Sequence, residues 1–159
     1  MLPTKFAEMR FEPGNGIIRK QMARDAIHNA VKNAIVKDGW TITDDPLRIE
    51  YGDVTTYVDL AAERVVAAER NGEKIAIEIK SFLGISLISE FEKALGQYQI
   101  YRLLLKQVEP ERKIYLAVSD IIYKRLFSKS AVELVVEDAK MLLIIVDLEA
   151  EVITEWIKN

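Results

Sequence analysis

Asp59 and the triplet Glu78-Ile79-Lys80 are the residues whose types and spacing best support chemistry in this chain. They lie in the segment YVDLAAERVVAAERNGEKIAIEIKSF (residues 57–82), which predicts that both carboxylates and the lysine lie at the ends of neighbouring strands. Two carboxylates can hold a hard divalent cation through oxygen, and the backbone carbonyl of Ile79 can add a further ligand. Such a cation polarises a scissile phosphate and acidifies a bound water. Lys80 would stabilise the charge that builds up on the phosphate. The segment therefore predicts the site of a magnesium-dependent phosphodiesterase.

A solvent-facing ion pair is the alternative interpretation of Glu78 and Lys80. Residues at i and i+2 of a strand point to the same face, and exposed ion pairs are common. Two other acid-x-lysine triplets, at 111–113 and 138–140, lie in polar stretches and are interpreted as solvated surface. The first triplet alone lies in an apolar strand whose isoleucines alternate on the opposite face. Asp59 upstream of that strand favours a functional site.

The composition limits the class of protein. A chain of 159 residues with 50% hydrophobic content predicts one domain with a substantial core. No stretch approaches the ~18 apolar residues of a membrane span, and the N-terminus lacks the apolar run of a signal peptide. The absence of cysteine excludes disulfides and thiolate metal sites and fits a cytoplasmic location. A single histidine excludes multi-histidine zinc sites. The net charge of −3 and the pI near 5.4 argue against a polybasic nucleic-acid coat but leave room for a local basic groove.

The hydrophobic pattern predicts one α/β domain at 20–159, after a loosely held, Pro- and Gly-containing extension at 1–19. Apolar residues at helical spacing predict a first helix that stops at Gly39. Short strands are then predicted at 40–43, 47–51, 57–60, 65–70 and 74–80. Asn71-Gly72 predicts a hairpin between the last two of these strands.

The second half of the chain predicts a long helix that begins with Ser86 or Ser89 as its N-cap, with Ser89-x-x-Glu92 as a capping box. The elements predicted there are the long helix, a strand, a helical stretch broken near 128–130, a buried strand and an edge strand, at 86–107, 113–118, 120–140, 142–146 and 152–157. The predicted order is thus a helix, three or more antiparallel strands, a helix and a strand, followed by further elements.

This order, with the acid, the Glu-x-Lys triplet and their spacing, resembles the PD-(D/E)xK nuclease superfamily. The resemblance implies a restriction-endonuclease-like αβββαβ core, with a mixed sheet flanked by helices. Gln97 and Tyr101 follow on the next helix and fit the Gln-x-x-x-Tyr pattern of the RecB-like branch. They lie at i and i+4 and share a helical face. In that branch the pair helps to position the metal site or the DNA. An ordinary helical pair with a core tyrosine is the alternative.

Longer stretches narrow the resemblance to the XisH family, the fdxN-element excision controlling factors found mainly in cyanobacteria. They are AIHNAVKNAIVKDGWTITDDPL, YVDLAAERVVAAERNGEKIAIEIKSF and SEFEKALGQYQIYR, at 26–47, 57–82 and 89–102. The likeness extends over about residues 22–158. It implies a role in site-specific DNA excision or rearrangement, with DNA, a recombinase and a small XisI-like protein as partners.

Three interpretations of the function stay open. The first is an endodeoxyribonuclease in which Asp59, Glu78 and the Ile79 carbonyl bind Mg²⁺ or Mn²⁺ and Lys80 supports the transition state. The second is a non-catalytic accessory protein that binds DNA, a recombinase or the XisI-like partner. The third is a toxin-like nuclease that this partner silences. Val58 precedes Asp59 where the superfamily often has proline, which makes the motif less specific but leaves the chemistry intact.

Two further residues are candidate supports of the site. His28 could touch the metal shell or DNA from the first helix, although a lone helical histidine is more often structural. Ser81 could bond the site or a phosphate, or only end the strand. The final strand at 152–157 alternates apolar and polar residues and predicts a sheet edge. We therefore expect a homodimer, or a tight complex with the XisI-like protein.

Overall fold

The structure, a computed structural model, describes residues 16–64 and 72–158. Helix α1 spans Gly16–Lys37 and buries its small and branched residues at helical spacing. Its first turn lies within the segment predicted as an extension, and residues 1–15 lie outside the described part of the chain. Gly39, with φ of +93°, turns the chain away after the helix, as predicted from its freedom at positive φ.

Eight described strands follow in two sheets. They are β1 Thr41–Asp44, β2 Leu47–Tyr51, β3 Val54–Val58, β4 Leu60–Arg64, β5 Glu73–Ile79, β6 Arg112–Ser119, β7 Leu143–Asp147 and β8 Val152–Ile157. The main sheet has the order β1-β4-β5-β6-β7-β8, and β2 and β3 form a separate antiparallel pair. Strands β5, β6 and β7 run parallel, while the other neighbours in the main sheet run antiparallel. The sheet is therefore mixed, as predicted.

The helices of the second half connect the parallel strands. Helix α2 spans Leu87–Val108, and its N-cap is Ser86, whose Oγ accepts a hydrogen bond from the Ser89 amide. The capping box predicted from Ser89 is therefore wrong, because Ser89 already lies inside the first turn. Between β6 and β7 lie α3 (Asp120–Ile122), a π-helical turn and α4 (Ser130–Asp138), so the predicted break near 128–130 is confirmed.

Hydrophobic residues on both faces of the main sheet bury it between helical layers. Helix α1 covers one face through a cluster that includes Ile27, Ile35 and Trp40. Helix α2, the segment between β6 and β7, and the β2–β3 pair cover the other face. Strand β5 alternates between the two clusters, with Ile75 and Ile77 on the α1 side and Ala76 on the α2 side. The side chain after Ile77, that of Glu78, therefore points towards α2.

Strand boundaries near the candidate site differ from those predicted. The predicted strand at 57–60 includes Asp59, but Asp59 lies at the bend between β3 and β4. The chain leaves the small β2–β3 pair there and enters the main sheet. The antiparallel pairing of Arg64 with Glu73 agrees with the predicted hairpin, whose strand at 65–70 and Asn71 lie outside the described residues. Strand β8 lies at the sheet edge, as predicted. No described helix has the length and apolar character that a membrane crossing requires.

Candidate active site

Asp59, Glu78 and Lys80 converge at the end of β5. Asp59 Oδ2 accepts a hydrogen bond of 2.7 Å from the Ile79 amide, in the position that a further residue of β4 would occupy. Glu78 and Lys80 share one face, and Lys80 Nζ lies 3.2 Å from Glu78 Oε1. The two carboxylates and the ammonium predicted from the sequence thus lie together, held by the register of β4 and β5.

Burial makes Glu78 an unusual carboxylate. Only 5% of the residue is exposed, and Oε2 has no hydrogen-bond partner among the described residues. Burial and then the negative charge of Asp59 raise the pKa of Glu78 from 4.5 to about 7, against the opposing effect of Lys80. An ionised carboxyl left partly unpaired in the interior is costly. A cation that binds both carboxylates would remove that cost.

Oxygen donors around Glu78 fit a hard divalent cation. Within a strand, the N–H and C=O of one residue point towards the same neighbouring strand. The Ile79 amide bonds Asp59 and the Lys80 amide bonds Ala117 on β6, so the Ile79 carbonyl faces the Asp59 side. No group of three or more acidic, histidine or cysteine side chains that could hold a metal is found within 16–64 and 72–158. Two carboxylates and one carbonyl suit Mg²⁺, which retains several waters, better than they suit Zn²⁺.

A cleft of about 460 Å³ opens beside these residues, between α1 and the start of α2. We name it the carboxylate cleft. Its lining residues are Gln21, Arg24, Asp25, Ile27, His28, Asp59, Glu78, Ile79, Lys80, Ser81, Phe82, Glu90 and Lys93. The lining includes three cationic side chains, Arg24, Lys80 and Lys93, and two acidic residues besides the acidic pair, Asp25 and Glu90.

Helix α2 brings Tyr101 close to the two carboxylates from inside the core. Burial and the charge of Glu78 raise the pKa of its hydroxyl, whereas a hydrogen bond with Thr56 lowers it. Gln97 lies one turn earlier on the same face, and its Oε1 is buried with no described partner. Neither residue lines the carboxylate cleft. The hydrogen-bond partner of Tyr101 is Thr56, and the roles of Tyr101 and Gln97 at the site stay predictions.

The two candidate supports lie in the cleft, with different contacts. His28 Nε2 lies 2.8 Å from Asp45 Oδ1, and Lys32 also bonds this aspartate. The described contact of the His28 ring is thus with the β1–β2 turn rather than with the acidic pair. Ser81 lines the cleft directly after Lys80. Both supporting roles stay predictions.

Strained backbone adjoins the site. Phe82 is buried, and its φ of +50° is costly for a bulky residue. Its ring packs edge-on against Phe127 at 6.3 Å between centroids, which fixes the conformation. Backbone strain of this kind clusters at functional sites. Here it turns the chain sharply after Ser81, so that residues 81–82 close one side of the cleft.

Sequence reasoning missed Glu90 and Lys93, which enter the cleft from the first turns of α2. Glu90 Oε2 is buried without a described partner, and its carboxyl packs against Gly84. A Cβ at Gly84 would lie 2.3 Å from Glu90 Oε1. The spacing of Gly84 and Glu90 carries no motif, so the sequence offered no signal for this contact.

The helix and strand order and the mixed sheet covered on both faces define an α/β protein with a restriction-endonuclease-like core. The profile of the XisH protein family matches residues 21–154, and the chain belongs to that family. An XisH family protein from Nostoc punctiforme PCC 73102, solved at 1.60 Å, is 45% identical with a TM-score of 0.78. The match covers 84% of this chain and 100% of that one.

A second solved relative is the fdxN element excision controlling factor protein from Anabaena variabilis, which is 46% identical with a TM-score of 0.77. The match covers 85% of this chain and 100% of that one. No curated protein matches the chain.

Proposed function

We propose that this XisH protein is a magnesium- or manganese-dependent endodeoxyribonuclease that takes part in controlling DNA excision. The burial of Glu78 beside Asp59, with one carboxylate oxygen unpartnered, carries the proposal. A structural role alone offers no reason to bury the Glu78 carboxylate beside the half-buried carboxylate of Asp59, whereas a cation site requires such a pair. The excision role rests on the name of the Anabaena variabilis relative.

Each side chain has a defined task in this proposal. Asp59, Glu78 and the Ile79 carbonyl would hold the cation, which when bound supplies Lewis-acid polarisation of the scissile phosphate. Lys80 Nζ, now 3.2 Å from Glu78, can turn to donate a hydrogen bond to a phosphate oxygen and stabilise the added negative charge. Tyr101 orients the buried carboxylate, and Gln97 is proposed to assist it.

A cleavage assay tests the proposal. The purified full chain is incubated with supercoiled, linear, branched and single-stranded DNA, in the presence of Mg²⁺ or Mn²⁺. We expect cleavage by the wild type and its loss in Asp59→Asn and Lys80→Met. Lys129→Met is the matched control, since it removes an exposed lysine that lines neither described cleft. Cleavage that persists in both site variants would assign the activity to a contaminant and contradict the proposal.

A second candidate is a nuclease held inactive by a small XisI-like protein. Three exposed apolar side chains, Leu83, Ile85 and Ile88, lie in the segment that runs from Phe82, at the edge of the carboxylate cleft, into the first turn of α2. Exposed apolar patches mark protein interaction sites. Co-expression with an XisI-like protein tests this candidate. We expect co-purification that Ile85→Lys abolishes, and a complex in which DNA cleavage is suppressed. If the complex still forms with Ile85→Lys and cleaves DNA as the free protein does, the partner does not cover the cleft.

A further inference from the structure

A second cleft, of about 380 Å³, lies at the other end of the parallel strands. We name it the basic cleft. Its lining residues are Tyr98, Arg102, Lys106, Pro110, Arg112, Lys113, Ile114, Tyr115, Lys140, Leu142 and Lys158. Six of them are cationic and none is acidic, in a protein whose net charge is −3. Lys113 pairs with Ile75, so the basic cleft lies roughly 13 Å along β5 from Ile79. The two clefts are separate sites.

Ion pairs neutralise only one of these cations. Arg112 is buried and binds Glu109 at 2.7 and 2.9 Å and Glu63 at 3.2 Å. Arg102 donates instead to neutral oxygens, those of Ala139 and Gln99. The four lysines take part in no ion pair within the described part of the chain. Five positive charges around one concave surface are therefore uncompensated, and such a surface attracts anions.

Helix-end electrostatics account for only part of this cluster. Lys106 lies in the last turn of α2 and Lys140 lies just after α4, where cations are favoured by the helix dipole. Lys113 and Lys158, in contrast, lie at strand ends, where no such dipole acts. Elements distant in sequence thus place ammonium groups around the same cleft.

The backbone at Lys140 is an independent observation that favours a ligand. Its φ is +50°, a left-handed conformation that glycine adopts without cost and that lysine adopts with strain. This position follows α4, where glycine is the usual residue. The chain therefore has a lysine where the backbone conformation favours glycine, although the helix dipole favours a cation there, and backbone strain of this kind clusters at functional sites.

Rigid groups on the cleft wall orient Arg102. Its guanidinium lies over the Tyr98 ring at 5.8 Å, and its two described hydrogen bonds leave further N–H donors for a ligand. Tyr98 is fixed in turn, because its hydroxyl donates to the Ile114 carbonyl and accepts from the Leu142 amide. A planar, pre-positioned guanidinium with nearby ammonium groups suits a multiply charged tetrahedral anion better than a single carboxylate.

We infer that the basic cleft binds a phosphate-bearing ligand at a site distinct from the carboxylate cleft. The phosphate belongs either to a small phosphorylated molecule or to the backbone of a nucleic acid, and the two sources share the same recognition chemistry. In the second case the cleft would anchor nucleic acid away from the acidic pair.

Two probes in EDTA test the inference on the full chain. The probes are sodium pyrophosphate, followed by calorimetry, and a fluorescent single-stranded oligothymidine, followed by anisotropy over a series of salt concentrations. Chelation prevents cleavage and keeps metal out of the carboxylate cleft. The result therefore does not depend on whether the protein is a nuclease.

The variants are matched in charge. Lys113→Ala with Lys158→Ala removes the two strand-end cations, and Lys124→Ala with Lys129→Ala removes two exposed lysines that line neither cleft. We expect the first pair to weaken pyrophosphate binding about tenfold or more, and the control pair to leave it within about twofold. Loss of oligothymidine affinity with a smaller salt slope identifies nucleic-acid backbone as the source. Loss of affinity for pyrophosphate, with affinity for oligothymidine unchanged, identifies a small phosphorylated ligand.

Lys140→Gly separates a binding role from a structural one. Glycine relieves the left-handed strain, so we expect the melting temperature to rise while affinity for the probe falls. A stabilised variant with weakened binding would exclude misfolding as the cause of the loss. Absence of binding by the wild type, or equal affinity of wild type, Lys140→Gly and Lys113→Ala/Lys158→Ala for both probes, would overturn the inference.

Discussion

The raised pKa of Glu78 predicts how the stability of the metal-free protein depends on pH. A carboxyl whose folded pKa exceeds its unfolded pKa binds its proton more tightly in the folded state. Its ionisation therefore costs nothing below pH 4.5, opposes folding increasingly between 4.5 and 7, and reaches its full cost above pH 7. A rise in pKa from 4.5 to about 7 corresponds to about 3 kcal/mol of unfolding free energy.

Replacement of Glu78 by glutamine isolates this effect, because glutamine keeps the size of the side chain and cannot ionise. We expect Glu78→Gln to gain about 3 kcal/mol relative to the wild type between pH 4.5 and pH 8 in EDTA. Urea denaturation at intervals of half a pH unit measures the difference. The unfolding free energy of Glu92→Gln, a change on the exposed face of α2, should depend on pH in the same way as that of the wild type. If the unfolding free energy of Glu78→Gln also depends on pH as that of the wild type does, the pKa of Glu78 is not raised and the argument for a cation site fails.

Further outcomes concern the metal, the core and self-association. Mg²⁺ should raise the melting temperature in a concentration-dependent way, and Asp59→Asn should abolish this rise while leaving the metal-free protein at least as stable; an unchanged response would remove Asp59 from the site. Tyr98→Phe deprives the Ile114 carbonyl and the Leu142 amide of a buried partner and should cost about 1–3 kcal/mol by urea denaturation; a cost near zero would show that water replaces the hydroxyl. If the exposed edge of β8 pairs with a second copy, light scattering should give a dimer mass at micromolar concentration; a monomer mass at high micromolar concentration would exclude it.

Much of the fold follows from local sequence patterns. The first helix ends near Gly39 because only a residue tolerant of positive φ continues the chain there. The alternation at 152–157 indicated an edge strand, and the apolar run at 142–146 indicated a buried one. These elements are predictable because one face, or both faces, must be buried, and hydrophobic spacing records that requirement.

The acidic pair and its lysine were also predictable, since strand periodicity fixes the relative orientation of Glu78 and Lys80. The position of Asp59 between two sheets was not predictable, because the division of strands between sheets depends on packing against α2. The basic cleft was missed for a similar reason. Its lysines are scattered along the chain, and the pairing of β6, β7 and β8 in the sheet brings Lys113, Lys140 and Lys158 together.

The hydrogen bond from the Ile79 amide to Asp59 makes one backbone proton a reporter of the whole site. A side-chain carboxylate closes the β4–β5 ladder at this point, so hydrogen exchange at Ile79 depends on the orientation of Asp59 as well as on the strands. The neighbouring Lys80 amide bonds the Ala117 carbonyl of β6 and serves as an internal reference. In an NMR spectrum, selective loss of protection at Ile79 would signal disruption of the acidic pair while the sheet remains intact.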